Sequence, residues 1–405
     1  EAQDDASADA PPASDVDGRY RPVVTPNGSS LPFRMVGGVK VFHLVAEPVH
    51  NVFTEGLEAH CWGYNGSTPG PTLEAVEGDR VRIYVTNRLP EPTTVHWHGV
   101  ILPSGMDGVG GLSQHPIPPG ETFRYEFTFP HAGTFMYHPH WDEMTQMALG
   151  MMGMLVVHPR RPRGRQPDRD FAIMLSEWSI PIGSARPNPI EMNDFNVLTM
   201  NSKVFPGTDP LVVRRGDLVR IRFGNLSGID NHPVHLHGYS FRITATDGGE
   251  IPRSAQQPNT TVLVPTGSCR VIEFVADNPG DWAMHCHMTH HIMNQMGHDF
   301  PNMVGAELPV ATRRIRRMIP GYMTMGTDGM AAMGEMEMPV PENSIPMRGG
   351  PGAYGRIDMG GMFTILKVRE SLASYDRDPG WYEPPAGTVA RAATATELAA
   401  DGIET

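Results

Sequence analysis

The stretch EGDRVRIYVTN at residues 77–87 decides the fold, because its pattern returns as RGDLVRIRFGN at residues 215–225. In both copies Gly-Asp supplies a turn, and the residues after it alternate between apolar and polar side chains. This alternation is typical of a half-buried strand that begins after a tight turn. The recurrence of one strand at this distance predicts an internal duplication.

Three further blocks follow each copy in the same order. After the first come HWHG (96–99), PPGETFRYEF (118–127) and AGTFMYHPH (132–140); after the second come HPVHLHG (232–238), PTGSCRVIEF (265–274) and PGDWAMHCH (279–287). We therefore predict an all-β protein with two related sandwich domains at 35–160 and 168–312, joined by a polar linker at 161–167.

The two ends of the chain differ from these domains. Residues 1–34 are predicted to be an acidic, largely disordered leader, because 1–18 hold six acidic residues, no basic residue and little to bury. Residues 313–405 are predicted to be a C-terminal extension rich in Met, Gly and Pro, with one strand at 362–368. Ten of the 26 methionines fall between Met318 and Met362.

The composition excludes several classes of protein. The chain has 32 Lys and Arg against 45 Asp and Glu, so its net charge is −13. It has no basic tract, which argues against a nucleic-acid-binding protein. Three cysteines cannot build a disulfide framework. No apolar run approaches the roughly 20 residues of a membrane span.

The histidines point to metal chemistry. On a strand, residues two apart face the same side, so an H-x-H pair can offer two imidazoles to one metal cluster. A lone histidine is best interpreted as an ordinary surface or core residue, but four such motifs at equivalent points of a duplicated fold are not. The motif residues are His96, His98, His138, His140, His232, His235, His237, His285, His287 and His291.

Cys286 lies between His285 and His287, and Met296 follows ten residues later. A Cys thiolate, two imidazoles and a weak axial Met make a blue-copper electron-transfer site. Structural zinc prefers a closed site with four ligands and needs no flanking imidazoles. The cysteine segment therefore favours copper, with a short covalent route from the thiolate to neighbouring metal ions.

HWHG, HPH, HPVHLHG and HCHMTHHIMNQM resemble the four copper-binding signatures of the multicopper oxidases, the family of laccases and of cuprous, ferrous and bilirubin oxidases. YNGSTPGP (64–71) and DGVGGLSQHPIPPG (107–120) also resemble family segments, and the resemblance covers roughly 35–310. It implies Greek-key cupredoxin domains. Most members have three, and room for two makes this chain similar to the two-domain laccase-type subgroup, which assembles as a homotrimer.

The resemblance implies four copper ions per subunit. A type 1 copper would be held by His232, Cys286 and His291, with Met296 as the axial ligand. A type 2 copper would be held by His96 and His235. One type 3 copper would be held by His98, His138 and His287, and the other by His140, His237 and His285. His290 lies four residues after the cysteine, whereas the family spacing is five, so His291 is preferred. Pro139 replaces the cysteine in the first copy, which assigns the blue copper to the second domain alone.

Three other positions bear on function. Asp107 matches a proton-relay acid near the type 2 copper, although it could instead be a turn residue before Gly108. Thr289 departs from the family, which often has an acid three residues after the cysteine to deliver protons. Cys61 and Cys269 could pair in an oxidising compartment or be two buried thiols.

The resemblance implies oxidation of four donor equivalents, one electron at a time near an exposed type 1 histidine, coupled to reduction of dioxygen to water. Phenols and aromatic amines are the main expected donors. Cu(I) is the alternative, because thioether sulfur suits it and the Met-rich extension is unlike a core. The methionines between Met136 and Met154 are interpreted mostly as packing.

Two other functions are weaker. A copper nitrite reductase needs a type 1 site in its first domain, and a copper-binding protein without turnover would leave the HCH segment unexplained. We expect the trinuclear clusters to lie between the first domain of one subunit and the second domain of the next. The copper chemistry favours a periplasmic or secreted mature chain, with no hydrophobic signal segment in the sequence.

Overall fold

The computed structural model describes residues 20–295, 313–314, 317–318 and 340–404. Their regular structure is almost entirely β, which confirms the expected fold class. The remainder consists of two helices of six residues, α1 (Glu143–Ala148) and α2 (Ala395–Ala400), three 3-10 turns at Ser104–Met106, Arg253–Ala255 and Thr289–Ile292, and the helical residues 313–314 and 317–318. Within this part of the chain, no helix has the length and apolar character needed to cross a membrane.

The first domain is a sandwich of two sheets. Its strands are β1 (Phe33–Val36), β2 (Val39–Thr54), β3 (Leu57–Tyr64), β4 (Gly70–Val76), β5 (Arg80–Asn87), β6 (His96–His98), β7 (Thr122–Thr128), β8 (Gly133–His138) and β9 (Gly153–His158). One sheet has the order β1-β2-β5-β7, with β3 paired to β2, and the other has the order β4-β9-β8-β6. Trp97, Phe135 and Tyr137 are buried between them.

The second domain repeats this architecture. Its strands are β10 (Arg169–Trp178), β11 (Val197–Met200), β12 (Leu211–Arg214), β13 (Leu218–Asn225), β14 (His232–Leu236), β15 (Phe241–Thr246), β16 (Gly249–Glu250), β17 (Pro258–Asn259), β18 (Thr261–Val264), β19 (Ser268–Val275), β20 (Gly280–Cys286) and β23 (Phe363–Arg369), with a small hairpin of β21 (Pro351–Gly352) and β22 (Gly355–Arg356) beside them. The sheet orders are β11-β10-β13-β19-β15-β16, with β17 paired to β15, and β12-β23-β20-β14-β18.

The strand pairing shows the duplication directly. The two quoted stretches form β5 and β13, and each lies between a parallel neighbour and an antiparallel one. In β5 the residues alternate between buried and more exposed, as the sequence pattern predicts. The two copies therefore fold into the same unit.

The last strand of the second domain comes from an unexpected part of the chain. β23 pairs antiparallel with β20 and parallel with β12, as β9 pairs with β8 and with β4. The predicted domain boundary at residue 312 excludes this strand, whereas the structure inserts it into the second sandwich. The Met-rich stretch is therefore an insertion between two strands of one domain. It separates β23 in the sequence from the other strands of that domain, so the predicted boundary fell before β23.

The second half of the predicted leader also differs from expectation. Residues 20–34 pack against both domains: Val24 forms a bridge with Phe171, and Ser30 forms one with Thr72. Leu31 is buried. The acidic run ends before these apolar residues begin, which explains why they can be ordered. Residues 1–19, for which disorder was predicted, lie outside the described residues.

The two sandwiches meet along β8 and β9 of the first domain and β10, β13, β16 and β19 of the second, and residues of β2 and β3 pack in a further apolar cluster with Trp178 and Val197. Nε and Nη2 of Arg222 each donate to a carboxylate oxygen of Asp170 at 2.8 Å, while Nη1 donates to Oγ1 of Thr134 on β8 at 2.7 Å. Burial by itself would raise the pKa of Asp170, but the guanidinium group holds it below its ordinary value. One arginine thus joins the two domains.

Arg222→Met should lower the free energy of unfolding by about 3–5 kcal/mol, because it leaves the Asp170 carboxylate buried with only a 3.4 Å contact to Arg220. Guanidinium unfolding followed by tryptophan fluorescence measures the loss. Arg215→Met is the matched control, since Arg215 and its partner Glu370 are both exposed. Equal losses in the two variants would contradict a special role for the buried pair.

Candidate metal centre

In each domain, two paired strands bring H-x-H motifs together. β6 pairs with β8, so that His96 lies opposite His138, and β14 pairs with β20, so that His235 lies opposite His285. Directly opposed residues of an antiparallel pair face the same side of the sheet. The two domains therefore gather imidazoles by the same device at equivalent positions.

The first set consists of His96, His98, His138 and His140. The four rings lie with centroids 5.4–6.2 Å apart. Nδ1 of His98 is 3.3 Å from Nε2 of His138, and one ring nitrogen from each of His96, His98 and His138 lies within 4.8 Å of the others. This spacing suits ligation of one or more metal ions.

The second set consists of His235, His237, His285 and His287. Its ring centroids lie 4.7–5.8 Å apart, and Nε2 of His237 is 3.2 Å from Nε2 of His285. His237 and His287 are exposed at the edge of this set. Every ring contact among the eight imidazoles of the described chain joins two members of the same set.

Backbone carbonyls fix the orientation of four of these rings. A carbonyl oxygen can only accept, so Nδ1 must carry the proton and Nε2 is left with a free lone pair for a metal. The pairs repeat between the domains: His96 donates to Asp107 and His235 to Thr260, while His138 donates to Pro139 and His285 to Cys286, all at 2.7–2.9 Å.

Burial also favours the neutral, metal-binding form of several rings. It lowers the pKa of His138 to about 3, and it lowers the pKa of His98, His237 and His285 as well, with further lowering from neighbouring imidazoles. Metal ligation requires unprotonated imidazole. These rings are therefore ready to bind a cation at neutral pH.

A third group lies inside the second domain and consists of His232, Cys286 and His291. Sγ of Cys286 is 3.3 Å from Nδ1 of His291 and 3.8 Å from Nδ1 of His232, and the two Nδ1 atoms are 3.2 Å apart. His291 joins this group, whereas the preceding His290 is not among its members. Met296, expected as the axial ligand, lies outside the described residues.

This group is fully buried, and burial raises the pKa of the Cys286 thiol to about 12 while it lowers the pKa of His232 to about 3. A bound cation would displace the thiol proton and stabilise the thiolate. Two imidazoles and a thiolate are the donor set of blue-copper sites, which fits copper better than zinc.

Polar residues that were not predicted from the sequence surround this buried group. Oγ of Ser227 is 2.6 Å from Nε2 of His232, and a carboxylate oxygen of Asp230 is 3.3 Å from Nε2 of His291. Burial and the neighbouring Asp230 raise the pKa of Glu177 to about 8. No local sequence signal marks Glu177, because it lies on β10, far from the histidine motifs.

Neither histidine of this group is exposed in the part of the chain that the structure describes, which differs from the expected exposed type 1 histidine. Both His232 and His291 have an exposed fraction of 0%. Ser227 and Asp230 lie against these rings, and Ile229 of the same loop is 49% exposed.

Asp107 lies beside the first set. Its Oδ1 is 3.4 Å from Nδ1 of His96, and its side chain is 35% exposed. Glu143 is a neighbour that the sequence analysis missed: its carboxylate lies 3.5 Å from Nδ1 of His138 and 3.7 Å from Nε2 of His140. In the sequence, Glu143 follows His140 by three residues, and this short spacing could have predicted their contact.

The structure also describes the three cysteines and Thr289. Cys61, Cys269 and Cys286 are all free and buried, so the alternative of two buried thiols holds for Cys61 and Cys269. Thr289 begins the 3-10 turn that carries His291.

Copper is the metal whose protein sites combine one thiolate with two imidazoles, so the fold and this donor set define a copper protein of the cupredoxin class. Two family models described as multicopper oxidase match residues 46–162 and 182–306. The chain belongs to the multicopper oxidase family.

Known relatives agree with this assignment. Copper resistance protein A of Escherichia coli is 42% identical over 242 residues, covering 48% of this chain and 40% of that protein. Laccase-1 of Cryptococcus neoformans is 41% identical over 130 residues, covering 31% of this chain and 20% of that protein. The matched segments therefore span less than half the length of either relative.

A solved structure covers more of the chain. The blue copper oxidase from Nitrosomonas europaea has 27% identity and a TM-score of 0.61, covering 81% of this chain and 85% of that one.

Cys286→Ser should abolish the intense blue absorption and remove one copper per chain, because the thiolate is the ligand that gives blue sites their colour. Optical spectra and metal analysis measure both effects. Cys61→Ser is the control, since Cys61 is an equally buried thiol in a separate apolar cluster. Retention of the blue band in the Cys286 variant would refute the assignment.

Proposed function

We propose that this protein is an oxidase of the two-domain laccase type, which takes single electrons from four donor equivalents and reduces dioxygen to two waters. One observation carries the proposal. Cys286 of the buried group is covalently continuous with His285 and His287 of the second imidazole set. An electron-accepting site and a site with several metal ligands are thus joined by a single peptide segment.

The donor sets support four copper ions per chain. When bound, copper would supply one-electron transfer at the type 1 site and reduction of dioxygen at a three-ion cluster. The proposed ligands are His232, Cys286 and His291 with Met296 for type 1, His96 and His235 for type 2, and His98, His138, His287, His140, His237 and His285 for the type 3 pair. The carbonyl bonds to Nδ1 hold four of these rings in one orientation.

Asp107 is proposed to hold and move protons beside His96. Its carboxylate lies near Nδ1 of that ring and is partly open to solvent, so it can exchange a proton with water at Oδ1. Its backbone carbonyl independently orients the same ring. The turn role and the proton role are therefore compatible.

We propose a homotrimer in which the first imidazole set of one subunit meets the second set of the next. Ring contacts within one chain stay inside each set, and His237 and His287 are exposed and available to a partner. Cyclic association would complete three identical clusters.

The main proposed donors are phenols and aromatic amines. Electrons must reach the buried group through the loop that carries Ile229. A donor then needs only a shallow contact near Ile229, which favours broad substrate specificity. Cu(I) is the second candidate. It is supported by the likeness to copper resistance protein A and by the Met-rich insertion, since thioether sulfur is a soft ligand.

Copper analysis, electron paramagnetic resonance and sedimentation of one purified sample test the enzyme class and the assembly together. We expect four coppers per chain, one blue and one type 2 signal, a coupled silent pair, and a trimer mass. Two coppers per chain would favour a nitrite reductase, and copper without oxygen consumption would favour a binding protein. An active monomer would refute the shared cluster.

Steady-state kinetics with Cu(I), Fe(II) and a phenol test the donor. The key variant replaces six methionines of the insertion by Leu, which removes sulfur and keeps the chain length; they are Met323, Met325, Met330, Met333, Met336 and Met338. If the insertion guides Cu(I), kcat/KM for Cu(I) should fall several-fold more than kcat/KM for the phenol. Equal changes would exclude a guiding role. Residues 340–347 are left intact because Asn343 and Ile345 anchor this segment.

A further inference from the structure

Four sulfur-bearing side chains of one buried cluster lie at the interface between the two domains, and none of them belongs to the three proposed groups of copper ligands. Met136 and Met154 oppose each other on β8 and β9 of the first domain. Met174 on β10 and Cys269 on β19 lie in register on either side of Gly224 on β13 of the second domain. All four are buried and belong to one packed cluster.

Gly224 is the point on which this cluster converges. A Cβ at this position would lie 2.7 Å from Sδ of Met154 and 2.9 Å from Sδ of Met136. Residues in register on neighbouring strands face the same side, so Met174 and Cys269 project beside the same point. The absence of a side chain at Gly224 is therefore what lets the sulfur atoms of Met136 and Met154 approach this strand, between the two strands that carry Met174 and Cys269.

We propose that this cluster binds one cuprous ion through the thioethers of Met136 and Met154 and the sulfur of Cys269, with Met174 completing the sulfur shell. Thiolate and thioether sulfur are the donors that select Cu(I), and the other buried members of the cluster are Val23, Met152, Val156, Ala172 and Leu226. This site is additional to the four copper sites of the proposed oxidase and does not depend on them.

The charge balance favours a monovalent soft ion. Burial raises the pKa of the Cys269 thiol to about 12, so the free site holds a neutral thiol. Binding of Cu(I) replaces the thiol proton, which is released to solvent, and the resulting pair of cuprous ion and thiolate carries no net charge. A divalent ion would leave an uncompensated charge in an apolar interior, which is far less favourable.

The position of the cluster gives it a connection to the first imidazole set. Met136 lies opposite His98 and two residues before His138 on the same face of β8. A cuprous ion at Gly224 would therefore be held directly beside the imidazoles of the first domain, at the interface that Arg222 also joins.

Methionine is a common core filler, so the test must separate sulfur from packing. The copper-loaded full-length protein, reduced with dithionite under argon, is titrated with Cu(I) against bathocuproine disulfonate. The test variant is Met136→Leu with Met154→Leu, which nearly conserves volume. The control is Met151→Leu, because Met151 is equally buried but lies in the core of the first domain.

We expect the wild-type protein and the control to bind one more tight Cu(I) per chain than the double variant, whose affinity should be weaker by at least about tenfold. Equal binding by all three proteins, or an equal loss in the control, would overturn the proposal.

Proton release provides a second test that needs no methionine variant. Wild-type protein should release one proton for the tight Cu(I), and Cys269→Ala should release none for that equivalent. Release of no proton by the wild-type protein would refute thiolate ligation. Retention of the blue band in every variant shows that the type 1 group is intact, so failure of this proposal is distinguishable from failure of the proposed function.

Discussion

The pairing register of two short pairs of strands determines where most of the metal-binding side chains lie. His96 opposes His138 in the first domain and His235 opposes His285 in the second, and residues two apart on each strand share a face. A slip of one residue in either pair would turn the imidazoles to the other side of the sheet. The buried cores that fix this register are therefore as important to the site as the histidines themselves. The same strands provide the carbonyls that orient the rings, so one backbone both carries the ligands and selects the nitrogen that binds.

The second domain holds its cysteine strand in place with a partner from far along the chain. β20, which ends at Cys286, lies between β14 and β23, and the chain between Cys286 and Phe363 includes the Met-rich insertion. The strand is thus paired on both sides, which fixes the cysteine and the two flanking histidines. The 3-10 turn that carries His291 lies before this insertion in the sequence, and Gly360 and Met362, just before β23, donate to the backbone of Ile292 and His291.

Burial has different effects on the three groups. The His232, Cys286 and His291 group is closed from solvent by the loop that carries Ser227, Ile229 and Asp230, whereas the second imidazole set is open at His237 and His287. A closed site limits transfer to electrons, while an open set can receive ligands from a partner chain. In the proposed oxidase, the closed group would accept electrons and the open set would be completed by assembly.

The sequence by itself determined the all-β class, the duplication and the histidine and cysteine motifs, because strand period and motif spacing are local properties of the chain. It did not reveal that residues 20–34 are ordered, that β23 completes the second sandwich, or that Asp230 and Glu177 lie beside the type 1 group. Each of these depends on segments distant in sequence that meet only when sheets pack. The convergence of Met136, Met154 and Cys269 at Gly224 has the same origin, since it requires two domains to meet face to face at a residue without a side chain.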